Sequence, residues 1–134
     1  MGKNYLMQSK TGIKLYNKYA KDMPIFDYHC HLNAKDIYEN KPFRNLTQIW
    51  LFDNGAGDHY KWRVMRSNGV DENTVTGDAD PYDKFVAFAE ALEMAIGNPM
   101  YHWCHLELKK YFGITTPLTK ATAKEIWDKT KDML

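Results

Sequence analysis

Long apolar runs are missing from this chain of 134 residues, and without a stretch of about 20 apolar residues no membrane-spanning helix is expected. Cysteine is scarce: the two present, Cys30 and Cys104, make no disulfide framework and fit a reducing compartment. An excess of one charge is lacking as well. Eighteen Lys and Arg stand against 17 Asp and Glu, for a formal net charge of +1. The two signs are mixed along the chain, which offers nucleic acids and membrane surfaces no electrostatic handle. Residues 1–8 have neither the apolar centre nor the small-residue cleavage site of an export signal, so a cytoplasmic location is the expectation. There is no internal repeat, low-complexity tract, phosphate-cradling glycine loop or serine-nucleophile motif. What is present is 44% hydrophobic residues, enough to build one core.

The stretch that stands out is residues 25–32, Ile-Phe-Asp-Tyr-His-Cys-His-Leu, preceded by Pro24. Its β-branched and aromatic residues predict a strand. Side chains alternate across a strand, so Ile25, Asp27, His29 and His31 would share one face. Two converging imidazoles at a strand end can supply two of the nitrogen ligands of a catalytic divalent metal, with other positions left for further ligands. The plainer alternative is a pair of histidines whose nitrogens are satisfied in a core.

Before this stretch, residues 11–20 carry Ile13, Tyr16 and Ala20 at helical spacing. After it, short helices are expected at 35–40 and at 47–52, the second with Asn45 as its N-cap. Residues 53–57, Asp-Asn-Gly-Ala-Gly, read as a turn. A helix of about three turns is then expected over 58–68, with Asp58 as the cap and Gly69 just past the end. On it His59, Arg63 and Arg66 fall at i, i+4 and i+7 and share a face, with Tyr60 and Val64 beside them. Such a face suits a carboxylate, which takes two parallel hydrogen bonds from a guanidinium and a third from a tyrosine hydroxyl. It also fits a merely solvated basic surface.

Further on, Gly77 to Pro81 reads as a loop and cap opening a helix over 82–96, with Phe85, Phe88, Ala89, Leu92 and Ile96 as its apolar stripe. Gly97-Asn98-Pro99 stops it. A helix over 100–112, ended by Gly113, and a last one from Thr122 complete the chain. His102 and His105 are three residues apart, but among Tyr101, Trp103, Leu106 and Leu108 they fit packing and hydrogen bonding better than metal binding. Trp50, Trp62, Phe85, Phe88, Leu92, Trp103, Leu106 and Trp127 are the expected core. One strand against about six helices would leave that strand without a hydrogen-bonding partner, so the sequence reads as the front of something larger.

Three separated motifs give the chain a family likeness. They are Asp22-Met23-Pro24-Ile25-Phe26-Asp27-Tyr28-His29-Cys30-His31-Leu32; Gly57-Asp58-His59-Tyr60-Lys61-Trp62-Arg63 with Met65-Arg66-Ser67-Asn68-Gly69; and Gly97-Asn98-Pro99 with Tyr101-His102-Trp103 and His105-Leu106-Glu107-Leu108. In this order they resemble the uronate isomerases (glucuronate isomerases) of the amidohydrolase superfamily. The resemblance implies a mainly α chain that is the N-terminal part of a distorted (β/α)8 metal-dependent-hydrolase barrel. Residues 1–33 would hold the first helix and the first barrel strand, residues 34–134 a helical insertion domain, and the remaining barrel would lie outside the sequence.

The resemblance also implies aldose–ketose isomerisation of D-glucuronate to D-fructuronate and of D-galacturonate to D-tagaturonate in hexuronate breakdown, with zinc as the cofactor. His29 and His31 carry over as metal ligands, and His59 and Tyr60 as substrate contacts; Arg63 is added from helix geometry. The chain alone would bind zinc weakly and would not isomerise uronates. The alternative is a helical structural or interaction module that keeps the motifs without catalysis, its open surface covered by another chain or by a second copy in a homo-oligomer.

Overall fold

The computed structural model describes residues 4–29, 32–53 and 56–134, and the chain divides into two compact units, Met1–Lys41 and Pro42–Leu134. In the first unit, α1 (Lys10–Leu15) starts where the Ser9 hydroxyl accepts the Gly12 N–H at 2.9 Å. It runs on as a π-helical turn over Tyr16–Ala20. Helix α2 (Ala34–Tyr38) is capped by Asn33, whose side-chain oxygen accepts the Lys35 N–H at 2.8 Å. Helix α2 lies in the first unit. Neither helix has a buried residue, and among the described residues this unit has no core of its own.

The expected strand is corrected here. Residues 24–29 adopt no regular secondary structure, and Ile25, Phe26 and Tyr28 are 93%, 88% and 90% exposed. A strand needs a neighbour to take its backbone N–H and C=O groups, and no described segment provides one. Cys30 and His31 lie outside the described residues.

In the second unit the organising element is α6 (Pro81–Glu93), which packs against α3 (Leu46–Trp50), α4 (His59–Ser67), α5 (Glu72–Val75), α7 (Pro99–Phe112) and α8 (Ala123–Thr130). Asp80 caps it and Pro81 occupies its first turn, where a missing N–H is harmless. Phe85, Phe88, Ala89 and Leu92 recur at i, i+3, i+4 and i+7 and are buried. Trp50 of α3 meets Phe85 and Phe88 at ring-centroid separations of 6.2 and 6.0 Å, and Trp127 of α8 meets Phe85 at 5.2 Å. Leu46, Met65, Leu108, Leu118 and Ile126 fill the space around them. A two-residue antiparallel pair, β1 (Phe52–Asp53) with β2 (Ala56–Gly57), lies between α3 and α4 in the register Phe52↔Gly57 and Asp53↔Ala56. Among the described residues no helix is long and apolar enough to cross a membrane.

The core differs from expectation on α7. Trp103 is 54% and Leu106 47% exposed, because the stripe that α7 turns inward is Met100, Cys104 and Leu108. Trp103 lies one residue, about 100° of helical rotation, away from that stripe. Trp127 is half-buried at the margin of the core. Helix α6 also stops at Glu93, short of Ile96, which is exposed.

Candidate functional site

The local sequence builds the first turn of α4 as a rigid platform. Asp58 stands at the N-cap, where one carboxylate oxygen accepts the N–H groups of Tyr60 and Lys61 at 2.9 and 3.2 Å. Its other oxygen meets the Lys61 ammonium at 2.8 Å. Burial pushes the Asp58 carboxyl upward, but Lys61 and the two backbone N–H groups outweigh it and hold the group below its usual range. Lys61 is buried in this pair.

At the next residue, the Trp62 indole N–H donates to the Leu51 carbonyl at 2.8 Å and ties α4 to the end of α3. Gly57 makes that possible. A Cβ at position 57 would come within 2.0 Å of the Trp62 ring and 2.4 Å of the Leu51 oxygen, so the ring lies where any side chain would be. Gly57 and Asp58 were legible only as a turn and a cap; their role in seating Trp62 and Lys61 needed the three-dimensional structure.

On this platform His59, Tyr60 and Arg63 come together on the exposed side of α4. The His59 ring meets Trp62 edge-on at 5.1 Å, and the Arg63 guanidinium lies 5.8 Å from the centre of the Tyr60 ring. Arg63 enters none of the ion pairs formed among the described residues. Arg66 is different. Its guanidinium grips both oxygens of Glu72 at 2.9 and 2.5 Å, and that bond, with a second from Thr76, holds the Glu72 carboxyl down at about 2. The basic face predicted from spacing therefore has Arg63 available for an anion, with Arg66 already committed.

His29 belongs to the first unit, exposed, with its backbone N–H on the Asp27 carboxylate at 3.1 Å. Its expected partner His31 is outside the described residues. A catalytic zinc typically takes three protein ligands. Among the described residues no group of three His, Cys, Asp or Glu side chains could hold a metal ion, so they do not complete such a site.

The second histidine pair behaves as packing and hydrogen bonding predict, most clearly at His105. The Leu118 N–H donates to His105 Nε2 at 2.8 Å, which leaves Nδ1 to donate to the Tyr101 carbonyl at 2.6 Å. Cys104 beside it is buried, and burial pushes its thiol up to about 12 despite the pull of Lys61, so it is no nucleophile at neutral pH.

A family model described as glucuronate isomerase matches residues 1–134. The uronate isomerase of Caldicellulosiruptor bescii is 58% identical over 134 residues, covering 100% of this chain and 28% of that protein. That of Bacillus subtilis is 54% identical over the same span, again 28% of its length. The crystal structure of uronate isomerase from Thermotoga maritima aligns with a TM-score of 0.87 at 41% identity, over 98% of this chain and 28% of that one. The chain thus spans under a third of the length of the relatives it matches.

Proposed function

This chain belongs to the glucuronate isomerase family, and on that premise we propose that the protein carrying it is a cytoplasmic uronate isomerase. It would interconvert D-glucuronate with D-fructuronate and D-galacturonate with D-tagaturonate. The observation that carries the reading is the α4 platform, on which Arg63, Tyr60 and His59 stand exposed over a first turn locked by Asp58 and Trp62. A hexuronate differs from an ordinary sugar by one carboxylate. Arg63 can take that group with two parallel charge-assisted hydrogen bonds, the Tyr60 hydroxyl can add a third, and His59 can meet a sugar hydroxyl. Fixing the carboxylate orients the carbonyl end of the sugar, where a proton must be moved between neighbouring carbons, and such positioning supplies much of the rate enhancement.

We further propose that His29 and His31 are the two imidazole ligands this chain contributes to a zinc centre, the remaining ligands lying in the part of the protein that the longer relatives possess. Residues 25–32 would form a strand of a (β/α)8 barrel there, which accounts for apolar Ile25, Phe26 and Tyr28 standing exposed in this chain.

The test is turnover. The 134-residue chain supplied with zinc and D-glucuronate should form no D-fructuronate beyond a His29→Ala, His31→Ala double variant. The full-length product should form it, and Arg63→Ala should lower its kcat/KM by about 10- to 100-fold, the worth of hydrogen bonds to a charged partner. A full-length protein without isomerase activity, or an Arg63→Ala variant with unchanged kcat/KM, would refute the assignment.

A further inference from the structure

Trp62 links the interior of the helical unit to the exposed face of α4. It is largely buried, and its inner edge is fixed by the hydrogen bond to the Leu51 carbonyl, by the bare backbone of Gly57 lying against the ring, and by the Phe52 ring at 6.4 Å. Two exposed side chains of α4 meet the same indole. His59, three residues before it, stands edge-on with ring centres 5.1 Å apart, and Arg66, four residues after it, holds its guanidinium 5.8 Å from the ring centre. Residues three and four apart are neighbours on a helix surface, so one turn to either side of Trp62 brings both onto it. An edge-to-face ring pair and a cation over an indole are both attractive.

Arg66 is itself held. Its Nε and Nη2 donate to the two oxygens of Glu72 at 2.9 and 2.5 Å, and Glu72 also accepts the Thr76 hydroxyl at 2.6 Å. Glu72 belongs to α5, which packs against α4. A planar guanidinium gripped at two points has its orientation set as well as its place. Contacts therefore run in sequence from α5 to the α4 platform: Glu72 to Arg66, Arg66 to Trp62, Trp62 to His59. An exposed imidazole with no such support exchanges rotamers, and a ligand that binds it has to immobilise it.

We propose that Trp62 is a positioning residue that presents the His59 imidazole to the substrate, and that the Arg66–Glu72 pair holds the indole in that position. The proposal rests on the isomerase reading for the contact between His59 and the sugar acid. Trp62 and Arg66 act through His59 and not on the sugar, so that the imidazole meets a sugar hydroxyl with little rotamer freedom left to lose. The two arginines of this face then divide the work: Arg63 takes the carboxylate, and Arg66 steadies the aromatic ring on which His59 stands.

The experiment has two arms. In the isotope-labelled 134-residue chain, the ring current of the indole should displace the His59 Cδ2–H and Cε1–H resonances from their random-coil positions. Arg66→Met changes a side chain that is 44% exposed, so it should move those resonances toward random coil while the Leu51 and Met65 methyl signals stay in place. In the full-length product, Arg66→Met should lower kcat/KM for D-glucuronate by about 2- to 10-fold, the cost of ordering one side chain. In a His59→Ala background the same change should cost less than about 2-fold, because the group it steadies is gone. Trp62→Phe should follow the same pattern, and should it fail to fold, Arg66→Met decides. Unmoved His59 resonances in Arg66→Met, or equal losses in both backgrounds where His59→Ala is itself damaging, would overturn the positioning role alone. A His59→Ala variant with unchanged kcat/KM would overturn the substrate contact assigned to His59, and the proposal with it.

Discussion

Replacing Gly57 with alanine is expected to cost about 3 kcal/mol, and the structure says why. The new Cβ would meet Trp62 carbons at 2.0 and 2.7 Å and the Leu51 carbonyl oxygen at 2.4 Å. Both neighbours belong to one hydrogen bond, the 2.8 Å contact from the Trp62 indole to Leu51. The ring has to leave, and it leaves behind a buried carbonyl and an indole N–H without partners, a loss of about 1–3 kcal/mol. Crowding the ring into the well-packed space around α4 adds about 1–3 kcal/mol more. With a urea dependence of about 1–3 kcal/mol per molar, the midpoint of unfolding of this chain should fall by about 1–2 M. Pairing the change with Trp62→Phe gives a sharper readout. A phenyl ring leaves space beside position 57, so Gly57→Ala should cost at least about 1 kcal/mol less in the Trp62→Phe background than in the parent. A Gly57→Ala midpoint shift under about 0.3 M, or strictly additive effects in the double variant, would refute the close-approach argument and with it the account of how α4 is seated.

His105→Ala should destabilise the helical unit by about 1–3 kcal/mol, because the Leu118 N–H, 2.8 Å from His105 Nε2, loses its acceptor; an unchanged denaturation midpoint would count against that role. Trp103→Ala should change stability by less than about 0.5 kcal/mol, while Phe85→Ala should cost about 3–5 kcal/mol; equal losses would mean the burial pattern of α7 is misread. The Glu72 carboxyl is lowered from 4.5 to about 2 by Arg66 and Thr76, so its contribution is full above pH 4.5 and fades as pH falls toward 2. Glu72→Gln should flatten that part of an acid-unfolding profile, and a profile identical to the parent would show the pair to be idle.

Four helix starts were legible from sequence because each is announced by a side chain acting on its own backbone. Asn33, Asn45, Asp58 and Asp80 each accept an N–H two or three residues ahead, and Gly113, at φ 65°, ends α7 in a conformation that glycine adopts without strain. The stripe of α6 was legible for the same local reason, its four core residues recurring at helical spacing. So was the grouping of His59, Tyr60 and Arg63, which three residues of helix geometry decide.

Tertiary structure decided what depends on partners distant in sequence. Which side of α7 turns inward was set by packing in the helical unit, so Trp103 is exposed although its neighbour Cys104 is buried. Glu72 chose between two arginines on one helix face and left Arg63 open. Leu51 and Trp62, eleven residues apart and joined by one hydrogen bond, made Gly57 indispensable. The apolar run at residues 25–29 shows the limit most clearly. Its composition favours a strand, but a strand is a property of two segments, and among the described residues the second one is missing.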